Sequence, residues 1–392
     1  MTTTKRKPTT DVSKSRAIKQ VTRLQLAADS AGRCEFAGCN KLLFQHHLTT
    51  KRGFFGQHAH IIAFSLDGPR GGSDQRPADP HHVSNLMLLC SACHKLVDDN
   101  PSTYPVNVLI SYKQAHERRI EHVTGLGPEM RTEIVQLKAN IAGQPVGIPV
   151  HQVVDAIDPR YPIDLRGHVI DLTELHSEDD AFYEIADREL RQRLAAVFNP
   201  GLAHSDARHF SVFALAPIPL LMSFGSALGN KVTADLYQRH RDTEDWCWKQ
   251  NGEPAHYEIQ ELQSVAPTKA ALILSLSGKV PLERLPSDVL DGATVFELTL
   301  ADQTPHRSFL QQRDDLERFG VAYRDVLTRI QASCDVRELH VFPAVPAPVA
   351  VTCGRELLPK VDPALLVYDF DQHNGFVPRL KVCAYDPERV SQ

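Results

Sequence analysis

No stretch of this sequence approaches the roughly 20 apolar residues that a membrane span requires. The first twenty residues are polar and basic and lack the apolar centre of a secretory signal. Together these absences predict a cytoplasmic protein with no membrane partner. In a reducing compartment the eight Cys read as metal ligands or buried thiols rather than disulfides. Strong net charge is missing as well, since 43 Lys and Arg against 48 Asp and Glu leave −5. Apolar residues are not missing: 42% hydrophobic with 23% charged excludes wholesale disorder. At roughly 150 residues per domain, 392 residues predict two or three domains.

The average charge conceals an asymmetry. Residues 1–124 hold 17 Lys and Arg and 10 Asp and Glu, a balance of +7, and the remainder has a balance of −12. Nine of the 19 His and four of the eight Cys also fall in that first third. A basic, His- and Cys-rich module followed by an acidic one points to polyanion contact at the N-terminal end. Residues 1–20 read as a flexible basic arm and 21–123 as a folded module. That module closes with a helix over 106–122, where Val108, Leu109, Tyr112 and Ile120 give an apolar stripe. Gly125, Gly127, Pro128, Gly143, Pro145, Gly147 and Pro149 punctuate 124–150, which reads as a linker around a short helix at 129–142.

Residues 151–392 alternate short apolar runs with amphipathic helices, the pattern of an open α/β sheet. The runs are 169–172, 211–215, 272–276, 295–300, 339–342 and 365–368, with helices expected at 181–198 and 311–333. This half repeats itself. At an offset of 129, Val212, Phe213, Pro217, Pro219, Gly225, Leu228 and Lys231 coincide with Val341, Phe342, Pro346, Pro348, Gly354, Leu357 and Lys360. After a two-residue insertion Tyr237 falls on Tyr368, and earlier Ile170 to Thr173 parallels Phe296 to Thr299. So long a period means a duplicated domain, with units at about 151–262 and 263–392.

The first module carries the chemistry. Cys34 and Cys39 form a CxxxxC pair, and Cys90 and Cys93 a CxxC pair. Two close pairs of thiolates suit a tetrahedral structural Zn²⁺, which staples a module with a small core. Between and beside them lie His58-Ala-His60, Asn85 and His94. On a strand, residues two apart share a face, so His58 and His60 are expected to point into one pocket. Cutting a phosphodiester needs a base for water, a cation for the leaving oxygen, and groups that orient both. A neutral His can be the base, an Asn can hold it, and a second His can ligate the cation.

The run HAHI, then NLMLLCxxCHxxxD, then Tyr112-Lys113 and His116-Glu117, resembles the HNH endonucleases of the ββα-metal fold over about residues 33–120. The resemblance implies His60 as general base, Asn85 as the residue orienting it, and His94 as a ligand of a catalytic Mg²⁺ or other divalent ion. It implies Cys34, Cys39, Cys90 and Cys93 as ligands of structural zinc. Many members place a metal ligand immediately before the base, where this chain has Ala59; His58, on the same strand face, is the expected substitute. Asp98 is expected to cap or orient locally, and His46, His47, His81 and His82 to lie in loops, solvated rather than near the DNA. No element resembles a sequence-reading helix. Lys5, Arg6, Lys7, Lys51, Arg52, Arg70 and Arg76 are candidate phosphate contacts, which give affinity without sequence choice. The expectation is double-stranded DNA cut with little sequence preference.

In the second half, a strand running through Pro-x-Pro into a Gly-containing helix places helix N-termini at strand carboxyl ends, where open α/β sheets bind ligands. Residues 209–240 and 338–369 resemble the two halves of a SAVED domain, a fused pair of CARF-like Rossmann-type units that senses cyclic oligonucleotides. An HNH nuclease followed by SAVED resembles one effector family of the bacterial antiphage system CBASS. That implies a nuclease activated by a cyclic dinucleotide of the cyclic GMP–AMP type, through homo-oligomers that pass from dimer to tetramer or higher. Candidate ligand contacts are Lys231 and Lys360 for phosphate, Trp246 and Trp248 for base stacking, Ser275 and Ser277 for hydrogen bonds, and Pro217 and Pro346 at the helix starts. Core packing is the alternative for the tryptophans. The fold expectation is thus an α+β HNH module followed by an α/β SAVED domain. Two rivals remain: an HNH restriction-type nuclease whose C-terminal half reads modified DNA, and a non-catalytic zinc-knuckle binding protein. The acidic balance of the second half opposes the first, because phosphates would be repelled.

Overall fold

The computed structural model describes residues 17–175, 181–197, 209–265 and 268–384. Lys5, Arg6 and Lys7 of the expected arm lie outside them. The chain divides into units Met1–Gly127 and Pro128–Gln392.

In the first unit, α1 (Gln20–Asp29) precedes β1 (Gly56–His60), β2 (Leu86–Cys90), α2 (Ser91–Asp99) and α3 (Val106–Gly125). β1 and β2 pair antiparallel, with Gly56 opposite Cys90 and His60 opposite Leu86. All of β2 is buried, and Ala59 of β1 is buried between half-buried His58 and His60. The pleat therefore turns Ala59 into the core, and its neighbours to the other face. Leu26, Leu43, Ile61, Leu86 to Leu89, Val97 and Leu109 complete that core. Of the stripe expected at Val108, Leu109, Tyr112 and Ile120, α3 buries Leu109 and Ile120 and packs Tyr112 against the core, and it also buries Lys113 and His116. Its lysine is neutralised inside by Glu117 and Glu35.

The second unit begins with β3 (Arg131–Lys138), followed by α4 (Val150–Ile157), β4 (Tyr161–Pro162), β5 (His168–Asp171), α5 (Phe182–Val197), β6 (Phe210–Leu215), α6 (Ile218–Leu228) and β7 (Ala234–Leu236). The expected linker helix at 129–142 is thus a strand, and an interior one. β3 lies between β6 on one side and β4 and β5 on the other, all parallel. Its middle six residues are buried, so polar Glu133 and Gln136 sit within a sheet covered on both faces. The chain continues through β8 (Tyr257–Gln263), β9 (Ala270–Ser275), α7 (Ser287–Leu290), β10 (Thr294–Leu300), α8 (Arg313–Ser333), β11 (Glu338–Ala344), α9 (Ala347–Arg355), β12 (Ala364–Asp371) and β13 (Gly375–Val382). These strands form a sheet ordered β13-β12-β11-β9-β10-β8, parallel from β12 to β10 and antiparallel at both edges.

The two sheets repeat one topology: β3, β5, β6, β7 correspond to β9, β10, β11, β12. Val135 pairs with Val212 and Leu272 with Val341, so the offset of 129 is structural. Phe213 stacks on Tyr237 with centroids 4.5 Å apart, and Phe342 on Tyr368 at 4.3 Å. One part of the sequence alignment is corrected: register through Val135 and Leu272 sets Ile170 against Leu298, not Phe296. A two-residue slip preserves strand alternation, so the sequence pattern could not expose it. The halves meet where α6 crosses α9. A Cβ on Gly225 would lie 1.9 Å from the Val351 carbonyl oxygen, and one on Gly354 would lie 1.9 Å from that of Met222. Only glycine allows this backbone approach. No helix among the described residues is long and apolar enough to cross a membrane.

Candidate nuclease site and ligand-binding edge

The structure brings together the four cysteines expected to hold zinc. The sulfurs of Cys34, Cys39, Cys90 and Cys93 all lie within 4.8 Å of one another, and Cys39 and Cys90 are 4.0 Å apart. Tetrahedral Zn–S bonds of about 2.3 Å need sulfurs separated by roughly 3.8 Å. The Cys90 N–H donates to the Cys34 sulfur and the Cys93 N–H to the Cys90 sulfur, contacts that favour thiolates. Burial, only partly opposed by backbone N–H donors, pushes the Cys34 thiol up to about 12; a divalent cation supplies the charge that offsets this. Among the described residues, this is the one group of three or more His, Cys, Asp and Glu side chains placed to share an ion.

His60 ends β1 with its Nε2 3.1 Å from Nδ1 of His81. Burial, then the nearby His81 and His94, hold its pKa below 6.5, and Asp98 opposes them. The imidazole is therefore neutral at neutral pH, as a general base must be. Asn85 does not bond to the ring. Its side chain accepts from Ile62 N at 2.9 Å and donates to Ile62 O at 3.0 Å and Pro80 O at 2.9 Å. One asparagine thus fixes the segment after His60 and the segment before His81. His81 also stacks on Phe64, with centroids 5.1 Å apart, so it lies in a loop as expected but is half-buried rather than solvated. Its sequence signal was faint, a His after proline with no motif spacing to His60.

His94, in the first turn of α2, faces Asp98 one turn on, Nε2 to Oδ2 at 3.3 Å. That pair offers one nitrogen and one oxygen, a set suited to a hard divalent ion that keeps waters. The expected place of His58 at that ion is not supported. Its ring stacks on Phe54 at 5.0 Å, and burial, then the nearby Arg23, lower its pKa. Arg70 and Arg76 are no phosphate contacts either. Arg70 is buried, bonded to Ile61 O, Val97 O and Asp98; Arg76 donates to Ala63 O, Phe64 O and Gly71 O. Both arginines spend their donors holding the loop after β1. Lys51 and Arg52 remain exposed.

In the second unit, Pro217 and Pro346 cap α6 and α9 at the carboxyl ends of β6 and β11, as expected. Pro219 and Pro348 sit in the first turns and lack an N–H, which thins the free donors there. Lys231 and Lys360 fall at the opposite edge, because a helix after a parallel strand runs back to the strand's start. Thr233 O accepts from Phe210 N, and Arg337 O accepts from Ala364 N, both at the amino edge. The fold puts other lysines at the carboxyl edge. Lys138 ends β3 in contact with Asp171 at 2.7 Å, and Lys279, after β9, reaches buried Glu297 at 2.6 Å. β9 and β11 flank the point where strand order reverses, the place where such sheets bind ligands. Ser275 is buried and accepts from Val280 N, whereas Ser277 is half-exposed with its N–H on Ala344 O. Trp246 is fully buried against Phe213 and leaves no face for a base; Trp248 is half-buried beside His240. A cavity of about 500 Å³ opens by Asp235, Arg313, Arg324 and Arg355. It is lined by β7, the first half of α8 and the end of α9, with Arg313 bound to Asp235, Arg324 to Asp362 and Arg355 to backbone carbonyls.

Two family models match the chain: HNH endonuclease over residues 34–100, and the SMODS-associated and fused to various effectors sensor domain, SAVED, over 190–382. The chain therefore has an HNH endonuclease domain followed by a SAVED sensor domain, with β3 to β5 of the first half lying ahead of the matched segment. That is the layout of the HNH–SAVED effectors of CBASS. Among curated proteins none matches. Solved structures that resemble it include the Acinetobacter baumannii Cap4 SAVED/CARF-domain containing receptor with the cyclic trinucleotide 3'3'3'-cAAA, at 9% identity and TM-score 0.42, covering 74% of this chain and 61% of that one. The same receptor with 2'3'3'-cAAA gives 11%, 0.42, 74% and 62%. The Moraxella osloensis Cap4 receptor gives 10%, 0.38, 74% and 58%. The chain spans about three-fifths of the length of these receptors.

Proposed function

We propose that this chain is a CBASS effector whose SAVED domain binds a cyclic dinucleotide of the cyclic GMP–AMP type and thereby activates its HNH domain to degrade double-stranded DNA with little sequence preference. The observation that carries the reading is a neutral, oriented His60 beside the His94–Asp98 pair, in a chain that also carries a sensor domain. With Nε2 of His60 engaged by His81, Nδ1 is the nitrogen that takes the proton from the attacking water. Asn85 fixes both histidine-bearing segments. His94 and Asp98 would hold a divalent ion such as Mg²⁺, which supplies charge stabilisation at the leaving oxygen. Lys138, Lys279 and half-exposed Trp248 are the candidate contacts for the messenger, in place of Lys231 and Lys360. Assembly of copies, from dimer to tetramer or higher, would be the activating step.

The test is plasmid cleavage with Mg²⁺, alone and with each of a panel of cyclic di- and trinucleotides. Smearing with one ligand, none without it, and none with His60→Ala supports the reading. Cleavage without ligand removes the sensor from it. A ladder of fragments sharing one cut motif removes the lack of sequence preference. Light scattering of the same samples reads assembly.

A further inference from the structure

Between Glu35 and Asp67 the sequence contains no acidic residue, while it contains Lys41, Lys51 and Arg52. The structure folds the middle of that stretch into a hairpin. Phe55 N donates to Leu43 O, Gly53 N to Phe44 O and His46 N to Lys51 O, and Gln45 bridges Arg52. Nδ1 of His46 receives the N–H of Thr49 at 3.2 Å, and Gln45 donates to Thr50 O at 3.0 Å, so the turn is held from within. At its tip Leu48 is 77% exposed, with Phe44, Phe54 and Phe55 exposed along the arms. Phe44 packs on Phe54, Phe54 on His58, and His46 on Phe55. This run of rings joins the hairpin to the strand that ends in His60.

An ordered leucine standing in water contributes nothing to the module's own stability, and the arm that returns from the tip carries the cations Lys51 and Arg52. That pairing, an apolar wedge flanked by phosphate ligands, is how proteins enter and widen the minor groove of duplex DNA. We propose that the hairpin of residues 42–55 grips the DNA: Lys51 and Arg52 sit on phosphates and Leu48 enters the minor groove as a wedge. The proposal rests on the nuclease reading above and adds the element that holds the substrate. Charge complementarity selects the occupant, because a polyanion suits a stretch with cations and no carboxylate.

The test uses full-length His60→Ala protein, a labelled 30-base-pair duplex, Mg²⁺ and the cyclic nucleotide that activates the wild type, with affinity measured by anisotropy across a range of salt. Replacing Lys51 and Arg52 together by Ala is expected to reduce the slope of log affinity against log salt by about 1.8, at roughly 0.9 per phosphate released. Leu48→Ala is expected to weaken binding by roughly tenfold or more at every salt concentration with the slope unchanged. All three residues are exposed, and thermal melting should match that of the parent. Unchanged affinity and slope in both variants overturn the proposal. So does a Leu48→Ala variant that binds DNA normally but sediments at lower mass, since the tip would then pack against a second copy. A wild type that cuts no DNA with any ligand of the panel overturns the nuclease reading itself, and the proposal with it. Wild-type cutting with unaffected variants overturns the hairpin alone.

Discussion

His60 and His81, twenty-one positions apart in sequence, face each other with Nε2 and Nδ1 separated by 3.1 Å. A base held at one ring nitrogen presents the other in a fixed direction, and its tautomer follows from the bond it makes. Neither ring is fixed by the strand alone, for the partner comes from the long loop between β1 and β2.

The pH dependence of cleavage follows from the environment of His60. Its pKa lies below 6.5 through burial and neighbouring imidazoles, and the working form is neutral. Single-turnover rates measured between about pH 5 and pH 8 should be level above 6.5 and should fall as the pH drops through the lowered pKa. An inflection above 6.5 would contradict this environment.

Asn85→Ala removes a side chain that touches backbone only, at Ile62 and Pro80. It should lower the cleavage rate by tenfold or more, on the order of 1.4 kcal/mol, by loosening both histidine-bearing segments at once. The duplex should still bind with parental affinity to the variant in the presence of activator. Loss of binding with the rate preserved would place Asn85 at the substrate instead.

Metal analysis of purified protein should find about one zinc per chain, held by the four sulfurs. Cys90→Ser should lose it and melt the first unit early, leaving the transition of the second unit in place. Stoichiometric zinc in Cys90→Ser protein would put the ion elsewhere.

The helix crossing gives a prediction with its own control. Alanine normally stabilises a helix interior by about 1 kcal/mol over glycine. Gly225→Ala should instead destabilise by about 1–3 kcal/mol, because its methyl meets the Val351 carbonyl. Gly320 of α8 has nothing nearer than a Thr352 methyl at 4.0 Å. Gly320→Ala should therefore be neutral or stabilising in the same denaturant titration.

The cysteines, His60, Asn85 and His94 were legible because their chemistry needs fixed types at short spacings, and spacing survives in sequence. Ala59 was legible as a departure, but its cause, a pleat that points it into the core, needed the register. His81 was not legible, since the loop that returns it has no rule relating its length to its end point. Lys231 and Lys360 show the limit of repeats: duplication says that two residues occupy like places, not at which edge of the sheet. The strand at 131–138 was hidden by the prolines and glycines around it, which punctuate a buried strand as readily as a linker. Trp246 looked available because its neighbours in sequence are polar, whereas its neighbours in space are Phe213 and Tyr237.

The duplicated sheets are an internal dimer on one chain. In a dimer of identical subunits, any substitution appears at both rims of a shared cleft. Here the copies mutate separately: by register, Lys138 of the first half and Ser275 of the second occupy the same place. A frame that keeps its glycine crossing strict while its rims drift apart can tell one end of a lopsided ligand from the other.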